Sequence, residues 1–199
     1  METSTLTTAN PATKPYPKMT AEEYLTFERA SPDKHEWING HLSPMSGASE
    51  PHNQIKNNLS FYIRLVLNKK GFRVYESDMR VNNPRRKGYF YPDIVVVQGK
   101  PVLADGQFDT LLNPVLIAEV LSEGTEAVDR GEKLEAYCSI PSLNEYLLVA
   151  SDKTSLTHYQ RMDEKNWKVN FLGEAGDSLS LLNGLVTVQM GEVYEEVDR

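Results

Sequence analysis

Residues 115–121 have the sequence Val-Leu-Ile-Ala-Glu-Val-Leu, an apolar run that is interrupted once, by the carboxylate of Glu119. A second run, residues 91–97, has the sequence Tyr-Pro-Asp-Ile-Val-Val-Val and places Asp93 just before its β-branched residues. Short runs rich in Val and Ile are typical of buried strands. A carboxylate is seldom left in such a strand without compensation, and a divalent cation bound by oxygen ligands is one form of compensation. The two runs therefore predict strands that carry an acidic metal site.

The alternation of side chains along a strand extends this prediction to geometry. Asp93 shares a face with Val95 and Val97, and Glu119 shares a face with Leu121. If the two strands are neighbours, their carboxylates can converge on one ion, which polarises a phosphoryl oxygen and lowers the pKa of bound water, as phosphodiester hydrolysis requires. Taken singly, each acid has a simpler interpretation, because Asp93 could cap a turn and Glu119 could form a salt bridge.

The composition describes an ordinary globular chain of 199 residues, 40% hydrophobic and 25% charged, which is enough material for one sizeable core. Residues 1–18, rich in Thr, Pro, Ala and Lys, predict a disordered lead-in, and residues 19–199 predict a single domain. No apolar run approaches the roughly 20 residues that span a bilayer, and the N-terminus lacks the pattern of a signal peptide. We therefore expect a cytoplasmic protein without a membrane partner.

Capping and turn signals organise the first half of the chain. Thr20 and Glu23 have the spacing of a capping box and predict a helix that runs to about Arg29. The Asn39-Gly40 pair predicts a tight turn between two strands within residues 36–45. Ser49 can cap a second helix, whose apolar residues recur with helical spacing and which should be the main packing helix.

The remaining segments predict strands around one further helix. That helix should begin after Thr125 and stop before Pro141, so it would connect two strands as a crossover. An α+β fold follows from this order of elements. A C-terminal β extension with a helical tail at residues 193–194 completes it. The predicted strands span residues 72–81, 89–97, 115–121, 145–150, 156–161, 167–172 and 178–189.

A basic segment precedes the strand that carries Asp93. Arg80, Arg85, Arg86 and Lys87 lie close together among Asn, Pro and Gly residues that predict a loop. Such a loop could bind the phosphate backbone of a nucleic acid near the carboxylates, or it could be a solvated surface loop. The formal net charge of −7 argues against a protein whose whole surface binds nucleic acid.

The order helix, three strands, helix, strand, with Pro92-Asp93 on one strand and Glu119 on the next, resembles the PD-(D/E)XK nuclease core. More specifically, the chain resembles the Uma2 family (DUF820) of restriction-endonuclease-fold proteins. The resemblance implies a central mixed sheet flanked by helices and a metal-dependent endonuclease that hydrolyses DNA. It is carried by residues 36–40, 91–93, 113–114, 119–122, 129–133, 137, 140–143 and 145–146.

The resemblance also implies roles for individual residues. Asp93 and Glu119 would bind Mg²⁺ or Mn²⁺, with the Val120 carbonyl as a further ligand. The wider nuclease pattern has a lysine two residues after the glutamate, where this chain has Leu121. Lys133, on the following helix, is our candidate for the missing ammonium, which would orient the attacking water and offset developing charge.

Helical spacing places Lys133 on one face with Arg130, Leu134 and Tyr137, from which a long side chain could reach over the sheet. The other interpretation of Lys133 is a solvent-facing helix residue. An inactive nuclease fold that serves as a binding module is the alternative to an enzyme, and the leucine at position 121 favours it.

Two further residues complete the predicted catalytic group. Glu36 matches an acidic position of the family and could lie near the metal. His52 lies on the apolar stripe of the second helix, where it could contact the site or be a core histidine. A homodimer is compatible with an enzyme that cuts both DNA strands, and the β extension offers strand edges that could pair.

Overall fold

The computed structural model describes residues 16–83, 85 and 88–198 of the chain. The predicted α+β fold is confirmed, with mixed sheets and a small number of helices. In chain order the elements are α1 (Ala21–Ala30), β1 (His35–Ile38), β2 (His41–Pro44), α2 (Glu50–Leu67), β3 (Phe72–Glu76), β4 (Arg80–Asn83), β5 (Gly88–Phe90), β6 (Ile94–Gln98), β7 (Thr110–Leu111), β8 (Leu116–Leu121), α3 (Glu126–Val128), a π turn (Asp129–Lys133), α4 (Leu134–Cys138), β9 (Glu145–Ala150), β10 (Leu156–Arg161), β11 (Trp167–Leu172), β12 (Ser178–Leu181), β13 (Val186–Gln189) and α5 (Met190–Val193).

A six-stranded sheet forms the centre of the fold, with the strand order β11-β10-β9-β8-β6-β3. The strands β6 and β8 are antiparallel neighbours, with Ile94 opposite Ala118, as the carboxylate argument requires. The strands β8 and β9 are parallel, so the chain between them must cross over the sheet. The segment α3, π turn and α4 makes this connection, which confirms the predicted crossover.

The two faces of this sheet are covered by different parts of the chain. Residues of β6 and β8 alternate between the faces, as in a strand that is buried on both sides. One face packs against the apolar stripe of α2 and against the β12-β13 hairpin with α5. The other face packs against α4, and this second face carries Glu119 between Ile117 and Leu121.

A second sheet has five strands, in the order β2-β1-β5-β4-β7. The predicted hairpin forms β1 and β2, with its turn at Asn39 and Gly40, both of which have a positive φ. The helix α1 begins at the predicted capping box of Thr20 and Glu23. It packs on this sheet through Tyr24, which is buried with Trp37.

The structure corrects two predicted strands, because each is broken and shared between the sheets. The predicted strand 72–81 is interrupted by a turn after Glu76, so β3 belongs to the central sheet and β4 to the second sheet. The predicted strand 89–97 is likewise broken at residues 91–93 between β5 and β6. Pro92 has no N–H to donate, which favours a break at this point. Asp93 therefore lies in the crossing between two sheets.

The C-terminal extension has the two predicted strands 156–161 and 167–172, which add to the central sheet, but the predicted strand 178–189 is wrong, because a turn at residues 182–185 folds it into a hairpin. The strands β10 and β11 continue the sheet beyond β9, and β12 and β13 form a separate antiparallel hairpin. The predicted tail corresponds to α5, which begins slightly earlier, at Met190. In the part of the chain that the structure describes, no helix has the length and apolar character to cross a bilayer.

The predicted lead-in, residues 1–18, falls mostly outside the described residues, which begin at Tyr16. Tyr16 is nevertheless in contact with the fold, because its hydroxyl lies 3.2 Å from His35 Nε2 and its ring packs edge-on against Phe27. Tyr16 therefore packs against the fold although it lies within the segment that the sequence predicts to be a disordered lead-in.

The two faces of α2 provide a test of where the core lies. Leu59 is fully buried against the central sheet, whereas Leu65 on the same helix is 61% exposed. We expect Leu59→Ala to reduce the free energy of unfolding by about 2–5 kcal/mol, because it leaves a cavity. Leu65→Ala should change it by about 0.5 kcal/mol or less. Urea denaturation of both variants checks this, and equal losses would contradict the described packing of α2.

Candidate active site

The side chain of Lys133 is buried among carboxylates. Its Nζ lies 2.9 Å from Glu36 Oε1 and 3.2 Å from Glu119 Oε1. A third contact, of 3.1 Å, joins it to Asp129 Oδ1, in ion-pair range but without hydrogen-bond alignment. These three acids come from β1, β8 and the π turn, so one ammonium links both sheets to the crossover segment.

Asp93 and Glu119 are held together by reciprocal hydrogen bonds to the main chain. The Asp93 N–H donates to Glu119 Oε2 at 3.2 Å, and the Val120 N–H donates to Asp93 Oδ2 at 2.8 Å. Each carboxylate is thus fixed by the backbone beside the other. The predicted convergence of these two residues is present in the structure, and Val120 takes part through its N–H.

His52 lies against the same carboxylate. It occupies the first turn of α2, where the Ser49 hydroxyl accepts a hydrogen bond from the His52 N–H. Its Nε2 is 3.1 Å from Asp93 Oδ2. Of the two interpretations of His52, the structure therefore agrees with the one in which the ring contacts the site. The other ring nitrogen, Nδ1, is buried and has no hydrogen-bond partner among the described residues.

Glu36 also lies in the site, and it fixes the crossing between the sheets. Its Oε1 accepts a hydrogen bond of 3.0 Å from the Tyr91 N–H, in addition to its contact with Lys133. The Tyr91 hydroxyl donates to Glu28 at 2.8 Å. Tyr91 is therefore held at both its main chain and its side chain, two residues before Asp93.

The sequence predicts that Lys133, Tyr137 and Arg130 share one helical face. Lys133 and Tyr137 do face the site together, but the prediction is wrong for Arg130. Arg130 is exposed and pairs with Glu126, while Asp129 is buried and faces the site. The physical reason is the π turn, which inserts an extra residue per turn and rotates the preceding residues relative to an α-helix. Asp129 was missed for this reason, although its i, i+4 spacing from Lys133 is visible in the sequence.

Tyr137 adds a neutral donor to the site. Its hydroxyl donates to Glu119 Oε1 at 2.9 Å, and its ring is fully buried. Burial raises the pKa of Tyr137 well above its usual value, and repulsion from Glu119 and Glu36 adds to this. The phenol is therefore protonated at neutral pH and acts as a hydrogen-bond donor.

The electrostatics of Glu119 reflect a surplus of negative charge. Burial raises its pKa well above the ordinary value, the Lys133 ammonium opposes this, and repulsion from Asp129, Asp93 and Glu36 adds to the rise. For Lys133, burial lowers the pKa, but Glu119, Glu36 and Asp129 outweigh it and hold that pKa well above its usual value. Lys133 is therefore a permanent cation that does not fully neutralise the acids around it.

The predicted basic loop is only partly a loop. Arg80 lies in β4, its side chain is buried, and its Nη2 is 2.5 Å from Asp109 Oδ2, so its predicted placement for phosphate binding is wrong. This ion pair connects β4 to the segment before β7. Arg85 is exposed in the turn after β4, and Arg86 and Lys87 lie outside the described residues.

Neither a strand lysine nor a ready-made metal-binding group is present among the described residues of the site. Leu121 is packed into the apolar cluster around Tyr137, and no cation stands at that position. Within the described residues, no three His, Cys, Asp or Glu side chains are already arranged as a metal-binding group. The acids of the site are instead gathered around the Lys133 ammonium.

Comparison with known proteins agrees with this architecture. The family model described as "Uma2: Putative restriction endonuclease" matches residues 21–191. The uncharacterized protein sll1609 of Synechocystis sp. is 37% identical over 149 residues, which cover 75% of this chain and 84% of that protein. The uncharacterized protein slr1290 of the same organism is 34% identical over 174 residues, which cover 87% of this chain and 90% of that protein.

One solved structure has a similar fold. It is the crystal structure of a protein from Anabaena variabilis, described as "a putative nuclease belonging to DUF820". The TM-score is 0.73, at 14% sequence identity, and the match covers 88% of this chain and 97% of that chain. With the family model, these similarities confirm the resemblance predicted from the sequence: the chain belongs to the Uma2 family of restriction-endonuclease-like proteins and has its nuclease fold.

Proposed function

We propose that this protein is a Mg²⁺- or Mn²⁺-dependent endonuclease that hydrolyses DNA phosphodiester bonds at the site of Asp93 and Glu119. The observation that carries the proposal is the charge balance around Lys133. Four acids, Glu36, Asp93, Glu119 and Asp129, share one ammonium and one imidazole. Buried carboxylates in excess of cations are costly, and a bound divalent ion relieves that cost.

The residues present fit such an ion. Carboxylate oxygens are the ligands that Mg²⁺ and Mn²⁺ prefer. Mg²⁺ retains several waters and is usually bound by one or two carboxylates, so a protein group of three ligands is not required. Among the described residues, the contacts of Asp93 all go to Oδ2, so its Oδ1 is available, and Glu119 supplies the second carboxylate. The Val120 carbonyl is the third group that we assign to the ion.

The chain's own residues would supply the remaining functions. A bound ion contributes Lewis acidity toward the phosphate and a lower pKa of bound water. Lys133 would offset the charge that develops on the phosphate oxygens, the role taken by the strand lysine in the wider nuclease pattern. His52 would orient Asp93, and Tyr137 would orient Glu119. Exposed Arg85, with Arg86 and Lys87, remains the candidate group for contact with the DNA backbone.

A binding module without catalysis is the second candidate, and a specific contact favours it. Lys133 already satisfies parts of three carboxylates, as an internal cation in place of a metal. In that case the protein would bind neither Mg²⁺ nor Mn²⁺. Calorimetric titration with each ion distinguishes the two functions before any nucleic acid is added.

The main test replaces one carboxylate of the site. Asp93→Asn keeps the size of the side chain and can still accept from the Val120 N–H, but it removes a charge that would bind the ion. We expect the wild-type protein to nick plasmid DNA with Mg²⁺ or Mn²⁺, and the variant to lose about 10²-fold or more of this rate. Gel analysis of plasmid cleavage, together with calorimetry for ion binding, makes the measurement.

Asp163→Asn is the matched control, because Asp163 lies in an exposed turn between β10 and β11. It should cleave like the wild type. A wild-type protein that binds neither ion, or that leaves single-stranded and double-stranded DNA and RNA intact with both ions, would exclude the proposed nuclease.

Lys133 has its own test. Lys133→Met should abolish cleavage, because the ammonium is lost, but ion binding should persist, because the lysine is not a ligand. Removing a cation from among buried acids should also lower stability by about 3–5 kcal/mol. Cleavage is therefore compared at a temperature where circular dichroism shows the variant folded, with Lys165→Met in an exposed turn as the control. A folded variant with unchanged cleavage would remove Lys133 from the mechanism.

The raised pKa of Glu119 predicts a pH-dependent stability. A carboxyl group whose pKa is higher in the folded chain than in the unfolded chain destabilises the fold as pH rises from about 4.3 toward the folded pKa. Glu119→Gln removes this titration and keeps an oxygen that can accept from Tyr137. We expect this variant to gain stability relative to the wild type as the pH rises above about 4.3, through the range in which Glu119 ionises. Urea denaturation across this range measures the difference, with exposed Glu164→Gln as the control. A constant difference would contradict the raised pKa.

A further inference from the structure

The strand β11 is an open edge of the central sheet. It pairs with β10 in a regular antiparallel register over all six of its residues, from Trp167 opposite Arg161 to Leu172 opposite Leu156. On its other side it has no neighbour in the sheet, and within the described residues no other backbone group pairs with it. Alternate N–H and C=O groups of β11 therefore point outward without a strand partner.

This edge is also apolar on one face. Trp167, Val169 and Phe171 alternate along β11 and so point to the same side of the sheet. Val169 is 41% exposed and Phe171 is 79% exposed. Proteins usually protect an edge strand with a proline, a bulge or a charged side chain. The strand β11 has neither proline nor bulge, and its one charge, Lys168, lies on the opposite face from the apolar stripe. An edge of this kind is suited to pairing with another strand.

The order of residues in β11 indicates which strand that is. The five residues from Trp167 to Phe171 alternate aromatic, polar, valine, polar, aromatic, and this pattern is symmetric about Val169. We propose that β11 pairs antiparallel with β11 of a second copy of this chain, around a two-fold axis that passes midway between the two Val169 residues. In this register each Trp167 lies opposite the Phe171 of the other copy, and aromatic cross-strand pairs of this kind are stabilising.

The polar face of the strand is compatible with the same register. Lys168 lies opposite Asn170 of the other copy, so the pairing sets no two like charges against each other. The opposite edge of the sheet lacks this symmetry. If two β3 strands paired about their central residue, Val74, Phe72 would lie opposite Glu76 of the other copy. An apolar ring would then face a charge. The geometry therefore selects β11 over β3 as the edge between the copies.

The pairing determines where the two copies of the site lie in the dimer. What this means for DNA cleavage rests on the proposed nuclease function. An antiparallel two-fold pair keeps the same face of both sheets on the same side. The stripe of Trp167 belongs to the face that carries Glu119, so both sites lie on the same face of a continuous twelve-stranded sheet, whose twist turns the two sites away from each other.

Seven strand spacings of about 4.8 Å separate the two copies of β8, or about 34 Å before the sheet's twist is considered. The dimer would thus hold two sites in one particle, so two cuts can be made in one binding event. The substrate that fits this arrangement is double-stranded DNA cut in both strands.

The association itself is tested without DNA or metal. Sedimentation velocity of the full chain should give a concentration-dependent dimer, and Phe171→Glu should weaken it by about tenfold or more, because two charges enter the apolar stripe. Phe108→Glu is the matched control, since Phe108 is 85% exposed in a loop away from β11, and it should dimerise like the wild type. Asp93→Asn should also dimerise normally, so a failure of catalysis is separable from a failure of association.

The register is tested by disulfides in a Cys138→Ser background. Val169→Cys places two cysteines directly opposite each other across the axis, within disulfide range. Phe171→Cys is the control, because its two copies would stand four residues apart along the strands, about 13 Å. Rapid oxidation to a covalent dimer by Val169→Cys, and not by Phe171→Cys, supports the pairing, and equal oxidation of the two variants overturns it.

Two results would overturn the association. One is a monomer at every concentration that sedimentation reaches. The other is a monomer whose affinity for DNA falls with Phe171→Glu but not with Phe108→Glu, which would make the stripe a surface for stacking nucleic-acid bases instead. If the dimer forms, Phe171→Glu should still nick plasmid DNA but lose most of the conversion to linear DNA.

Discussion

A single ammonium among buried carboxylates determines how the parts of this protein fit together. Lys133 contacts acids from β1, β8 and the π turn, which belong to the second sheet, the central sheet and the crossover segment. None of these acids could be buried here without a cation, because an isolated charge in a protein interior is strongly unfavourable. The ion cluster therefore fixes the relative position of elements that apolar packing alone would hold less specifically.

The crossing between the two sheets brings the catalytic candidates to this cluster. The chain leaves β5 in the second sheet, passes through residues 91–93 and enters β6 in the central sheet. Glu36 binds the Tyr91 N–H and Glu119 binds the Asp93 N–H, so two carboxylates of the site also hold the main chain that carries a third. The same groups thus serve stability and the proposed chemistry, and substitutions at them must be examined with separate measurements of folding and activity.

The surplus of acid is the feature that connects structure to function. One lysine does not neutralise four carboxylates, and repulsion among them adds to the burial that raises the pKa of Glu119 well above its ordinary value. Functional sites often retain unfavourable electrostatics, and the divalent cation of the proposed function would relieve the cost of this one. The exposed stripe of β11 is a second unfavourable feature, and a second copy of the chain would cover it.

The fold class, the order of elements and the carboxylates of Asp93 and Glu119 were accessible from the sequence, because each depends on local pattern. Capping residues, the Asn39-Gly40 turn and the alternation around Glu119 act over a few residues, and the structure has them where the pattern predicts. Lys133 could be proposed for the same reason, from helical spacing.

Contacts between distant segments were decided only by the tertiary structure. The breaks in the strands around Asp93, the burial of Arg80 against Asp109 and the rotation that turns Asp129 inward depend on which sheet each segment joins. Strand propensity is the same for residues that continue one sheet or pass to another, so the sequence pattern cannot separate these cases. The convergence of Asp93, Glu119, Glu36 and His52 on one point likewise follows from long-range pairing, which brings together residues up to 83 positions apart.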